Sequence, residues 1–135
     1  AVEEAVHLYG GDFFAHFAGP GAAEFERWAA EERQRLALLF VRCAETAVRA
    51  RLDAGRARDA IALARRVRDV EPLRQASWRL LLEAMAVVDP VLAAAEGDAL
   101  ERLLAREELA PDPATRALLA ALRRGERGAR GVGGD

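Results

Sequence analysis

Residues 53–78 read DAGRARDAIALARRVRDVEPLRQASW and contain one whole helix together with the turns on both sides. Gly55 predicts the end of the preceding helix, because glycine adopts the left-handed backbone conformation without steric cost. Pro72 predicts the end of the next helix, because the residue before a proline is pushed towards extended geometry. Between them, small residues recur at helical intervals and predict a stripe along one helix face: Ala60, Ala64 and Val67.

This spacing is typical of the second half of a tetratricopeptide hairpin, in which small side chains let two antiparallel helices approach closely. A shift of thirty-four residues moves Gly55 to Asp89 and Ala60 to Ala94, but the second alanine becomes Asp98. Two residues of the next helix match the Trp and Leu of the repeat pattern: Trp78 and Leu81. The sequence therefore predicts two hairpin units, each recognisable in a different half, with short helical segments as caps.

Glycine and proline residues elsewhere in the chain predict where the other helices begin and end. Helices are predicted over residues 1–9, 22–54, 56–70, 73–88, 90–109 and 115–122, with a phenylalanine-rich turn at 12–17. The apolar stripe of the long helix is predicted to be Phe25, Trp28, Leu36, Leu39, Phe40, Cys43 and Ala47. The inner face of the 90–109 helix is predicted to be Leu92, Ala95, Ala99 and Leu103. We expect a helical domain at 1–122 and a disordered glycine- and arginine-rich tail at 123–135.

The composition indicates an all-α fold, because alanine, leucine, arginine and glutamate dominate and lysine and asparagine are absent. The net charge of -2 argues against a dedicated nucleic-acid surface. The longest apolar run, residues 36–41, is far shorter than the roughly 20 residues of a membrane-spanning helix. We therefore expect a cytoplasmic protein that does not bind membranes. Cys43 is the only cysteine, which excludes an intramolecular disulfide, and we expect it to be buried and inert.

No motif predicts catalysis, a metal site or a cofactor. His7 and His16 are separated by a Gly-Gly break, and no serine or cysteine is placed for activation by either of them. The acidic pairs Glu31-Glu32 and Glu107-Glu108 lie on predicted helices, where neighbouring side chains point about 100° apart. Gly10-Gly11 lacks the Lys-Ser/Thr of a phosphate-binding loop. We expect no enzymatic activity.

A series of short blocks, in order along the chain, resembles the bacterial transcriptional activator domain. The first block is Tyr9-Gly10-Gly11-Asp12-Phe13-Phe14, which is similar to the Tyr-x-Gly-Asp-Phe-Leu opening of that family. The other blocks are Phe25–Trp28, Glu32–Leu36, Gly55 with Ala60, Glu71–Leu73, Arg79–Leu81, Glu107–Leu109 and Pro111–Arg116. The resemblance covers residues 1–122. Two positions depart from the family pattern: Asp98 replaces a common aromatic residue, and Ala110 replaces the usual glycine.

The resemblance implies a tetratricopeptide-like all-α domain associated with oligomerisation and transcriptional activation. In SARP-type regulators of antibiotic synthesis this domain follows a winged-helix DNA-binding domain. No winged helix is recognisable before Tyr9, so we expect DNA contact only through a domain that this sequence does not contain.

A groove lined by the first helices of the hairpins is the candidate protein-binding surface. The offsets of a tetratricopeptide hairpin predict its residues as Arg42, Glu45, Arg49, Arg79 and Glu83. These arginines suit the carboxylates of a protein partner. The alternative is a solvated helix face on which Glu45 and Arg49 form an i,i+4 pair.

Two function hypotheses remain open. The first is an interaction and oligomerisation module of a transcriptional regulator, with a protein partner or a second copy of the chain (a homodimer) as ligand. The second is a tetratricopeptide-type scaffold that recruits a peptide in a signalling or assembly protein. The coding sequence upstream of Ala1 discriminates between them, since a winged helix there favours the regulator.

Overall fold

The computed structural model describes residues 21–133, and every regular element in this part of the chain is a helix. The helices are α1 (Ala22–Asp53), α2 (Ala57–Val70), α3 (Gln75–Val88), α4 (Pro90–Arg106) and α5 (Pro113–Gly133). The predicted all-α fold is confirmed. The predictions for the helix at 1–9, the turn at 12–17 and the two histidines lie outside the described residues.

The helix ends follow from local sequence. At the end of α1 the Gly55 amide donates to the Leu52 carbonyl at 3.1 Å, and the Arg56 amide donates to the Arg51 carbonyl at 2.9 Å. Gly55 has a φ of 75°, so this is the Schellman turn that the glycine predicts. At the start of α4 the predicted cap also forms, because one carboxylate oxygen of Asp89 accepts the two amides that open the helix: those of Val91 and Leu92, at 3.1 and 3.2 Å.

The described residues fall into two compact units that divide between Ala44 and Glu45, and α2 to α5 belong to the second. In that unit α2 packs on α3, α3 packs on α4, and α5 packs on both α4 and α3. The predicted small-residue stripe of α2 is buried, as are the two pattern residues of α3: Ala60, Ala64, Val67, Trp78 and Leu81. The indole N–H of Trp78 donates to the Pro72 carbonyl at 2.7 Å, so the buried ring keeps a hydrogen-bond partner.

The predicted inner face of α4 is wrong. The buried residues of this helix are Ala93, Ala94, Gly97, Leu100 and Leu104. Leu92, which was predicted to face inwards, is 46% exposed. The helices α3 and α5 both cover α4, and the side they cover is turned by about one residue from the predicted one. It includes Gly97, where Leu119 and Leu122 of α5 come close to the helix backbone. Ala95 is exposed, while Ala99 and Leu103 are half-buried.

The predicted stripe of α1 is wrong at three of its seven positions, while Phe40 is buried and the other three are half-buried. Buried apolar residues on this helix recur at intervals of four: Phe40, Ala44 and Val48, together with Val41 and Ala29. Trp28 and Leu39 are exposed. Cys43 is also exposed, contrary to the expectation of a buried thiol, because it lies one position from Ala44 and therefore points about 100° away from the buried face.

The last helix is longer than predicted, since α5 continues to Gly133 instead of ending at Leu122. The structure thus has residues 123–133 in a helix, where the sequence predicts a disordered tail. Two ionic contacts accompany the extra turns: Arg123 bonds to Glu101 of α4, and Arg130 donates to Glu126 one turn earlier at 2.9 Å. Glycine is a weak helix former but does not forbid a helix when neighbouring residues support one.

Candidate protein-interaction surface

Four of the five predicted groove residues lie in the second unit, two on the last part of α1 and two on α3. Glu45 and Arg49 are on α1, and Arg79 and Glu83 follow them on α3 at the same interval of 34 residues. Equivalent positions of the two helices therefore carry opposite charges. Arg42 is exposed on α1 and belongs to the first unit.

Arg49 and Glu83 form an ion pair across one repeat. A terminal guanidinium nitrogen of Arg49 donates to the Glu83 carboxylate at 2.7 Å. Their side chains are 46% and 36% exposed, so the pair lies at the surface. The alternative pairing of Arg49 with Glu45 is not formed, because the Glu45 carboxylate is turned towards residues at the start of α3.

Glu45 forms the most enclosed polar contact of this surface. Arg74 donates to it through two nitrogens, at 3.0 and 2.9 Å, and the Ser77 hydroxyl donates at 2.9 Å. The Glu45 side chain is only 13% exposed. Burial acts to raise the pKa of Glu45, but the hydrogen bonds from Arg74 and Ser77 and the charges of Arg74 and Arg79 outweigh it and lower the pKa below its usual value.

Asp112, just before α5, repeats this arrangement one helix further along. One nitrogen of Arg79 lies 3.0 Å from both carboxylate oxygens of Asp112 and donates to the Thr115 hydroxyl at 2.9 Å. Asp112 also accepts the Thr115 amide at 2.8 Å and so caps α5. The Thr115 amide is the main cause that lowers the pKa of Asp112; slight burial opposes it, and the Thr115 hydroxyl and Arg79 add to it.

Gln75 ties the connection between α4 and α5 to the start of α3. Its amide nitrogen donates to the Ala110 carbonyl at 3.2 Å, and its amide oxygen accepts the Asp112 amide at 2.8 Å. The side chain of Gln75 therefore bonds to two backbone groups of this connection.

The sequence reading missed several residues of this network: Arg74, Gln75, Ser77, Asp112 and Thr115. A signal for some of them was present, because the polar contacts join residues about one repeat apart: 34 for Arg49 and Glu83, 33 for Arg79 and Asp112, and 35 for Gln75 and Ala110. Opposite charges one repeat apart, as in Arg49 and Glu83, are the sequence feature that predicts such contacts.

The network does not supply a nucleophile. Ser77 donates to Glu45, but its side chain is buried, and the lowered pKa makes Glu45 a poor base. Among the described residues no group of three potential ligands is placed to hold a metal ion. None of the described helices combines the length and the apolar character needed to cross a bilayer.

Comparison with known proteins agrees with the block pattern of the sequence. A family model described as "Bacterial transcriptional activator domain" matches residues 1–123. Searches of curated proteins and of solved structures find no match. The resemblance predicted from the sequence is confirmed.

Proposed function

We propose that this chain, which belongs to the bacterial transcriptional activator domain family, is the protein-interaction and oligomerisation module of a bacterial transcriptional regulator. In this proposal the domain acts in the cytoplasm by binding another protein or a second copy of itself, and it catalyses no reaction. DNA contact is attributed to a separate winged-helix domain of the regulator.

The observation that carries the proposal is the exposed ion pair of Arg49 and Glu83. The neighbouring charged groups form other hydrogen bonds: Glu45 with Arg74, and Arg79 with Asp112. Val87 lies one turn beyond Glu83 on α3 and is 69% exposed. A valine exposed one turn from Glu83 offers an apolar contact on the same helix as one partner of the ion pair. Such a combination is typical of protein-interaction surfaces.

Arg49 is suited to exchange its partner. A guanidinium has five N–H donors, and the bond to Glu83 uses one terminal nitrogen. Exposed ion pairs contribute little to stability, so breaking this one costs the fold little. A carboxylate of the partner that binds Arg49 through two parallel hydrogen bonds would replace Glu83 with a stronger contact.

The test is a charge swap. In the double variant Arg49→Glu/Glu83→Arg the ion pair and the fold are kept, while the charges presented to a partner are reversed. With the chain fused to a heterologous DNA-binding domain, we expect reporter activation to fall about ten-fold, equivalent to about 1.4 kcal/mol of binding. Thermal unfolding of the variant should match that of the parent.

Each other outcome has a separate meaning. If the double variant activates as well as the parent, these charges only support the fold and the interaction surface lies elsewhere. If the parent fusion does not activate at all, the proposed function is wrong. Arg42→Glu, alone, tests the remaining groove residue in the same assay. Light scattering at several concentrations tests self-association, and a strict monomer would contradict the oligomerisation part.

A further inference from the structure

The two halves of α5 are held in different ways. In the first half the buried side chains are Thr115, Leu119 and Leu122. From residue 123 to residue 131 no side chain is buried, and only Glu126 and Ala129 are half-buried. Hydrophobic packing therefore holds the helix up to Leu122 and contributes little after it.

The second half contains a glycine at every third position: Gly125, Gly128 and Gly131. A Cβ atom built on any of them meets nothing within 4 Å, and none has a positive φ. Neither packing nor backbone conformation requires glycine there, in contrast to Gly97, where an added Cβ would lie 3.0 Å from Leu119. Each of these glycines lowers the helical population about five-fold relative to alanine.

Ionic contacts support these turns instead. Arg123 bonds to Glu101 and lies 3.9 Å from Asp98, both on α4, and Arg130 pairs with Glu126. All of these side chains are at least partly exposed, so the pairs are weak and are screened by salt. A helix built from unneeded glycines and exposed ion pairs lies close to its melting equilibrium.

We infer that residues 123–133 are a conditional helix, which forms and melts independently of the rest of the unit and whose population is set by its exposed ion pairs. In the helical state Arg123 covers the acidic edge of α4. In the melted state that edge, Asp98 and Glu101, is released, and the arginines of the segment lie on an extended chain. The ionic strength therefore sets how much of the segment is helical and in contact with α4.

Amide hydrogen exchange of the full chain, followed by NMR, tests this inference. We expect the amides of 124–133 to exchange at least about ten-fold faster than those of 116–122. In the variant Gly125→Ala/Gly128→Ala, exchange in 124–133 should slow by about 25-fold, five-fold for each glycine, with no change in 116–122. Arg123→Gln, or high salt, should accelerate exchange in 124–133 only.

The matched control is Ala121→Gly, which replaces an alanine by a glycine at an exposed position of the first half. It should accelerate exchange throughout the unit, because the first half unfolds together with the core. Equal exchange rates in the two halves of the parent protein would overturn the inference. Unchanged rates in 124–133 of the double alanine variant would also overturn it.

Discussion

Helices α2 and α4 occupy equivalent places in successive hairpins, yet they meet their neighbours with different residues. α2 buries alanines, among them Ala60 and Ala64, whereas α4 buries Ala93, Ala94 and Gly97. At Gly97 the side chains of Leu119 and Leu122 reach the helix backbone, so that an added Cβ would lie 3.0 and 3.3 Å from them. The comparison teaches that both helices bury small residues, and that at Gly97 the facing leucines would have to move to admit even a Cβ.

The largest predicted effect concerns Gly97. Gly97→Leu places a whole side chain where two leucines already reach the backbone, and we expect the free energy of unfolding to fall by about 3 kcal/mol. Urea unfolding measures this loss. Gly125→Leu is the control, since its Cβ faces open space and the variant should be at least as stable as the parent. Equal stability of both variants would show that α4 and α5 are not closely packed.

Overpacking the other pair sharpens the comparison. Ala64 is buried on α2, and Ala64→Leu should lower the free energy of unfolding by about 2 kcal/mol. The loss should be smaller than for Gly97→Leu, because the site of Ala64 already accommodates a Cβ. Ala62→Leu, on the exposed face of the same helix, should change stability little. A melting temperature of Ala64→Leu equal to that of the parent would place this alanine at the surface.

Two carboxylates predict that the stability of the fold depends on pH: Glu45, which bonds to residues at the start of α3, and Asp112, which caps α5. The pKa values of Glu45 and Asp112 are lowered in the folded state, so their contribution is complete above the unfolded pKa values of 4.5 and 3.8. It is lost as the pH falls through the lower folded values. Glu45→Gln should cost about 1.5 kcal/mol at pH 7 and less in acid. Urea unfolding from pH 7 to pH 3 measures this, and a loss that does not shrink in acid contradicts it.

The smallest changes in stability are predicted at two helix ends that share one hydrogen-bond pattern, those at Gly55 and Glu108. The end of α4 repeats the Schellman turn of Gly55, with Glu108 at the left-handed position and a φ of 56°. Glu108→Gly should raise stability by about 0.5 kcal/mol, because it removes strain and a negative charge at a helix carboxyl end. Gly55→Ala should lower it by about 1 kcal/mol. Thermal unfolding compares both, and a destabilised Glu108→Gly would show that the glutamate makes a compensating contact.

Much of the helix plan could be predicted, because breakers act locally. Gly55, Pro72 and Asp89 end or begin helices through their own backbone and side-chain chemistry, and the structure agrees at each of them. The end of α5 was not predictable in this way, since contacts with α4 accompany turns that glycine disfavours. Of the candidate surface, the sequence named Glu45, Arg49, Arg79 and Glu83, and the i,i+4 pair of Glu45 with Arg49 that its alternative reading expects is replaced by pairs with α3 and its start.

The sequence alone determined the all-α class, the thirty-four-residue repeat and the family, because periodicity, breakers and motif order are properties of the chain itself. Tertiary structure decided which face of α1 and α4 is buried, since a helix turns about its axis until its neighbours pack, and apolar residues on several faces allow more than one answer. It also decided that Glu45 binds Arg74 and Ser77, because a long flexible side chain bonds to whichever partner the next helix brings within reach.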